Sequence, residues 1–199
     1  MWENLADFAD TARQAYRRDV WVAQPDYLEC WLEKDALSGI FENILENYGV
    51  TLNVGRGYDG WDSIHNAAAR FLCMEDNSTI TVLYFGDFDP SGEDMARSLR
   101  TRLAFFGCNP EIVKCALTRE DIDLYHLPPN FTKKTDSRRA AFVREHGDIA
   151  VEIDALPPNV LRQRITDEVR ARMNLYALDA VKQAEEDDRA RLVAALSTM

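Results

Sequence analysis

The chain has no apolar run approaching the ~18 residues that a membrane-spanning helix needs. Its first stretch, MWENLADFADTARQAYRRD, mixes acids and bases and lacks the apolar core of a secretory signal. The expectation from these absences is a cytoplasmic globular protein. Soft metal ligands are also scarce. The four cysteines, Cys30, Cys73, Cys108 and Cys115, show no C-x-x-C spacing, and the three histidines, His65, His126 and His146, do not cluster with them. That argues against a zinc site and for reduced thiols packed as small apolar side chains. Neither glycine-rich stretch matches a P-loop or a dinucleotide fingerprint. Low-complexity segments and internal repeats are missing. Positive charge is the scarcer sign, with 23 Lys and Arg against 34 Asp and Glu, for a formal net charge of −11. A protein that coats nucleic acid unaided needs Lys and Arg at the phosphates, so the balance argues against that class. It leaves open an enzyme that meets phosphate through a cation, because a bound cation reverses the sign of an acidic site.

What is present suits one domain, or one domain with an appendage: 199 residues, 46% of them apolar. An amphipathic helix is expected over residues 3–18, and a connector containing Pro25 follows it. Strands are expected at 27–32 (YLECWL), 50–54, 78–85 (STITVLYF) and 110–117. Helices are expected at 34–48, at 63–74 with Asp62 or Ser63 as cap, and at 91–106. Gly49 sits where a helix end favours glycine. Strands alternating with helices predict βαβ units. The fold class is therefore α/β, with a mostly parallel central sheet of about four strands flanked by helices. Further on come a short helical turn into Pro128 and Pro129, a basic loop, a helix ending at Gly147 and a strand or extended segment over 148–154. One long helix or two close the chain. Leu161, Ile165, Val169, Met173, Leu175 and Tyr176 lie on one stripe there, read as core or as the surface of a homodimer. The expected division is 1–26 as N-terminal helix and connector, 27–117 as core, and 118–199 as an extension packed on that core.

In a parallel sheet of this kind the chemistry lies at the carboxyl ends of the strands. Two acidic sites fall there. Glu33 closes the first strand, and Asp87 and Asp89 close the third in LYFGDFDPSG. Residues i and i+2 of an extended chain face the same way, about 6–7 Å apart at the backbone. Two carboxylates so placed repel, and a cation between them relieves the repulsion. Hard oxygen ligands suit Mg²⁺ or Mn²⁺. Asp89 before Pro90 is equally a helix N-cap, with proline at the first helical position. Gly86 and Gly92 clear space beside the pair.

Glu33-Lys34-Asp35 after a first strand, followed by GDFDPSG after a third, resembles the Toprim domain. That domain is shared by type IA and type II topoisomerases, bacterial-type primases, OLD-family nucleases and ribosomal-RNA maturases. The pattern is most similar to the version in the A subunit of topoisomerase VI and the meiotic double-strand-break proteins. The resemblance covers about residues 27–117. It implies that Glu33, Asp87 and Asp89 meet at one sheet edge, that the aspartates hold Mg²⁺ or Mn²⁺, and that Glu33 acts as ligand or as general acid/base. The implied reaction is phosphodiester cleavage, with DNA as the expected partner and RNA as the other candidate. Topoisomerase-type members carry a catalytic tyrosine on a separate winged-helix domain. The residues before the first strand are too few for one. Either a partner chain or an upstream region supplies it, or water is the nucleophile. Tyr16 and Tyr27 read as packing residues.

Candidate nucleic-acid contacts are Lys34, and Lys133, Lys134 and Arg138 in the basic stretch TKKTDSRR, with Arg144 and His146 beside it. In GRGYDGWDS, Arg56 is a candidate phosphate contact, and Tyr58 and Trp61 are candidates for stacking on a base. Asp154 in VEIDALPP is either an additional metal-binding acid or a helix cap. Two further functions compete. One is a haloacid-dehalogenase-like phosphohydrolase, whose D-x-D is nucleophile and acid, although that family carries the motif on its first strand. The other is a non-catalytic Toprim-like module that docks proteins.

Overall fold

A computed structural model describes residues 2–55, 60–74, 78–132 and 136–197. The chain forms two compact units, Asp26–Arg172 in one and Met1–Pro25 with Met173–Met199 in the other. This differs from the division expected from sequence. Residues 118–172 fold with the strands, and the last helix pairs with the first.

The larger unit is built on a four-stranded parallel sheet in the order β2-β1-β3-β4, from β1 (Tyr27–Leu32), β2 (Thr51–Val54), β3 (Ile80–Phe85) and β4 (Glu111–Ala116). Leu32 of β1 pairs with Val54 of β2 and with Phe85 of β3, so the strands end level. All six residues of β1 are buried, as expected of an inner strand covered on both faces. The connecting helices are α2 (Ser38–Leu45), α3 (Trp61–Phe71) and α4 (Pro90–Phe105). Phe41, Leu45, Ile64, Leu99 and Leu103 from these helices are buried with Trp31, Leu83 and Phe85 of the strands. Gly49 takes the left-handed conformation after α2, with φ 61°. Helix α3 starts at Trp61 with Gly60 as cap, ahead of the expected Asp62 or Ser63.

After β4 come α5 (Arg119–Leu124), α6 (Arg139–His146) and α7 (Pro158–Arg170). A capping box between Thr118 and Asp121 starts α5. Asp121 is buried and pairs with Arg164 of α7 at 2.6 Å. Leu161, Ile165 and Val169 bury the inner face of α7, which packs on α2. The segment 148–154 is not a sheet strand. Ala150 bridges Asn130 and Val151 bridges Phe88, each antiparallel and isolated. Its partners are loop residues that offer one pairing position each, and it closes in a 3-10 turn over Ile153–Ala155.

In the smaller unit, α1 (Leu5–Ala15) packs with α8 (Leu175–Ser197). Asp188 accepts hydrogen bonds from Tyr16 Oη at 2.8 Å and from Arg18. The closing helical stretch is two helices, because the chain turns at 171–174 and the Asn174 side chain caps the start of α8. No helix among the described residues is long and apolar enough to cross a membrane.

Candidate active site at the carboxyl edge of the sheet

Glu33 leaves β1 with its N–H bonded to Phe85 O at 2.9 Å, which holds the ends of β1 and β3 together. Its Oε2 accepts hydrogen bonds from Tyr84 Oη at 2.8 Å and from the Asp87 N–H at 3.1 Å. Tyr84 is buried, and burial first, then the Glu33 charge, raises the pKa of its hydroxyl far above the ordinary value. The phenol therefore stays a donor. A Cβ at position 86 would stand 2.2 Å from Tyr84 Oη and 2.4 Å from Glu33 Oε2. Glycine is required there because the Tyr84–Glu33 bond occupies the side-chain space.

The Asp87-Phe88-Asp89 turn is anchored through its middle residue. Phe88 exchanges two backbone hydrogen bonds with Val151, of 2.9 and 3.0 Å, and its ring packs edge-on to Phe142 and His146. The alternation of an extended chain then sends the flanking aspartates the other way. Asp87 Oδ1 accepts from the Ile153 N–H at 2.8 Å. Asp89 Oδ1 accepts from the Ser91 and Gly92 N–H groups at 2.8 and 2.7 Å and caps α4, with Pro90 at its first position. The cap uses one oxygen of Asp89. Among the described residues the second oxygens of Asp87 and Asp89, and Oε1 of Glu33, take no hydrogen bond. Gly92 is as constrained as Gly86, since a Cβ there would lie 2.1 Å from Asp87 O. Lys114 of β4 donates to that same carbonyl at 3.0 Å and to Glu93 at 2.5 Å.

Asp87 and Asp89 line an open cleft of about 360 Å³ with Asn130, Phe131, Thr132, Asp136, Glu152 and Asp154. Glu33 sits beside it, next to Gly55, Tyr84 and Met95. Asp87 links the two places, with its N–H on Glu33 and its carboxylate in the cleft. Its pKa is raised to about 6, by burial first and then by the Glu33 and Asp89 charges, against the pull of the Ile153 N–H and Lys34. A carboxylate so crowded by negative charge is a place for a cation. Among the described residues no three His, Cys, Asp or Glu side chains are arranged to hold a metal ion by themselves. The donor set instead fits a hard ion held by two aspartates and otherwise by water and substrate, the habit of Mg²⁺.

The other expected contacts are placed as follows. Lys34 is engaged by Glu152 at 2.7 Å and by Asp154 at 2.5 Å. Asp154 therefore lies on the cleft wall as the partner of Lys34. It does not cap α7, which starts at Pro158 with Pro157 before it. Arg138 pairs with Asp136 at 2.9 Å and with Asp94 at 3.6 Å. His146 packs against Phe88 and Phe142. Trp61 sits edge-on to Phe105 and Phe106. Arg56, Tyr58, Lys133 and Lys134 lie outside the described residues. Tyr27 is buried and donates to Glu29, which removes it as a nucleophile.

Sequence reasoning missed Tyr84 and Lys114. One is an ordinary aromatic in an apolar strand and the other a lone lysine in β4, so neither carries a local signal. The Tyr84–Glu33 bond makes a stability prediction. Glu33→Ala strands a buried hydroxyl, at a cost of about 1–3 kcal/mol. The melting temperature should fall by about 2–4 °C for each kcal/mol in a chain of this size. Glu33→Gln keeps an acceptor oxygen, and thermal unfolding should place it within about 2 °C of the parent. Equal losses in both variants would show that the bond is not what stabilises this edge.

No family model, curated protein or solved structure matches this chain.

Proposed function

We propose that this chain is a Toprim-type enzyme that cleaves DNA phosphodiester bonds with Mg²⁺ or Mn²⁺. The observation that carries the reading is the pair Asp87 and Asp89. Both leave the end of an inner parallel strand into one open cleft, and each keeps an oxygen outside the hydrogen bonds of the described residues. A divalent ion at these aspartates supplies charge neutralisation for the phosphate and the leaving oxygen. The ion-binding residues are Asp87 and Asp89, with Glu33 adjoining them.

Glu33 is the proton-handling group in this reading. Tyr84 Oη and the Asp87 N–H hold its Oε2, which fixes the carboxyl plane and leaves Oε1 to exchange a proton with the attacking or leaving oxygen. Lys114 holds the Asp87 carbonyl and so keeps the turn in place. Neither Tyr27 nor Tyr84, the two tyrosines on β1 and β3, is suited to attack phosphorus, because both are buried donors to carboxylates. Water is the nucleophile in this reading, unless a tyrosine is supplied from elsewhere.

The test is cleavage of supercoiled and single-stranded DNA with Mg²⁺, Mn²⁺ or chelator. Asp89→Asn retains the cap on α4. It should therefore melt within about 2 °C of the parent. It should also lose at least about 10²-fold in rate, the scale expected for removing a group that stabilises transition-state charge. Full activity in Asp89→Asn, or cleavage unaffected by chelator, overturns the reading. Cleavage confined to RNA moves the substrate without moving the site. A phosphoryl group trapped covalently on Asp87 replaces the reading with a phosphohydrolase.

A further inference from the structure

The cleft that holds Asp87 and Asp89 has an aromatic wall. Phe131 lines it with 79% of its surface exposed. Single exposed apolar side chains are common and need no explanation. Phe131 differs because its backbone is clamped on both sides. Before it, Asn130 and Ala150 exchange two backbone hydrogen bonds, of 2.7 and 2.8 Å, and Asn130 Oδ1 accepts from the Phe131 N–H at 2.8 Å. After it, the N–H and hydroxyl of Thr132 both bond Asp148 Oδ1, at 3.3 and 2.5 Å. A large ring is thus presented to the cleft from a tied backbone, with little apolar packing of its own.

The charges around the cleft say what such a ring is for. Lys34 is already bridged between two acids, and Arg138 is paired with Asp136 and Asp94. Among the described residues the cleft is lined by Asp and Glu and its cations are already paired, so direct pairing of those side chains with phosphate contributes little. A nucleobase brings no charge and has a π-face whatever its identity, so stacking is the attraction left. A base inside a duplex is already stacked on both faces and cannot offer one. We propose that Phe131 is the stacking platform for an unpaired nucleobase beside the phosphate held at Asp87 and Asp89. The preferred substrate is accordingly single-stranded nucleic acid or a frayed duplex end. The inference rests on the phosphodiesterase reading of the same cleft.

The experiment is fluorescence anisotropy of a labelled oligo(dT) and of a blunt duplex, with Mg²⁺ at one fixed salt concentration. The protein is the full chain carrying Glu33→Gln, which under the proposed reading binds without cleaving. Adding Phe131→Ala should weaken single-strand binding about 5- to 150-fold, the range spanned by one stacked base, and leave duplex binding unchanged. Phe131→Trp should restore or exceed the parent affinity. Unchanged single-strand affinity in Phe131→Ala, or equal losses on single strand and duplex, overturns the stacking role and leaves the cleavage reading untouched. If the parent binds neither oligonucleotide, with or without Mg²⁺, both readings fall.

Discussion

Replacing Asp87 with asparagine should raise the melting temperature at about pH 7.5 and, under the proposed function, remove metal-dependent cleavage. The carboxyl of Asp87 is held at about 6, against about 3.9 for a free aspartate. The folded state therefore binds this proton more tightly than the unfolded state. The stability it contributes is complete below about pH 4 and is lost as the pH rises through about 6. At about pH 7.5 the ionised group burdens the fold. A shift of this size would nominally cost about 3 kcal/mol, and water in the open cleft reduces that to roughly 1–2 kcal/mol. Asparagine keeps an acceptor for the Ile153 N–H and removes the charge. The gain should be about 2–8 °C at about pH 7.5 and should shrink towards zero at about pH 4. Mg²⁺ should stabilise the parent at the higher pH and leave the variant unmoved, because only the parent offers the ion a charged ligand pair. The rate should fall at least about 10²-fold. Scanning calorimetry at both pH values decides the first claim. A variant that melts lower than the parent at about pH 7.5 would show that burial and the neighbouring carboxylates do not burden the ionised group.

Glu29→Ala should be strongly destabilising. Glu29 has no exposed surface and lies midway along β1. Its oxygens accept from Arg70 Nε at 2.6 Å and Nη2 at 2.9 Å, from Asn53 Nδ2 at 2.7 Å and from Tyr27 Oη at 3.0 Å. Alanine removes the acceptor that a guanidinium, an amide and a phenol share at this buried position. Breaking a buried pair from one side costs about 3–5 kcal/mol. Arg70 keeps some contact with water, so roughly 3 kcal/mol is the expectation, a fall of about 6–12 °C. Glu29→Gln keeps the acceptor oxygen and should lose less. Replacing both partners by methionine should recover much of the loss, since an apolar pair of similar volume pays no desolvation. Urea denaturation with an unchanged slope would assign the effect to the native state. A loss under about 1 kcal/mol in Glu29→Ala would show that water reaches the pair and that the strand tolerates the gap.

Each of these residues marks how far local pattern reaches. The D-x-D turn was legible because its signals are contiguous. An unalternating apolar run ends, two acids follow at a spacing of two, and Asp89-Pro90 starts a helix. The parallel sheet was legible for the same reason, from apolar runs alternating with amphipathic ones. Glu29 was not, because YLECWL reads as an apolar strand whatever its one acid meets. Lys34 and Arg138 read as available cations; the partners of Lys34 lie over a hundred residues along the chain, and Arg138 folds back on Asp136 and reaches Asp94 of α4. Residues 148–154 show strand-like residues, and only the fold could tell that they pair with loops.

By itself, then, the amino-acid order determined the α/β class, the mostly parallel sheet and the acids at its strand ends. Those follow from φ/ψ preference and hydrophobic period, which act over a few residues. The tertiary structure alone decided that Tyr84 aims its hydroxyl at Glu33, that Gly86 and Gly92 must lack a side chain, and that Phe131 faces the cleft. It also decided that the last helix leaves the sheet unit to join the first. Those depend on contacts between residues from separate elements, and such contacts exist only once burial of the core has fixed where each element lies.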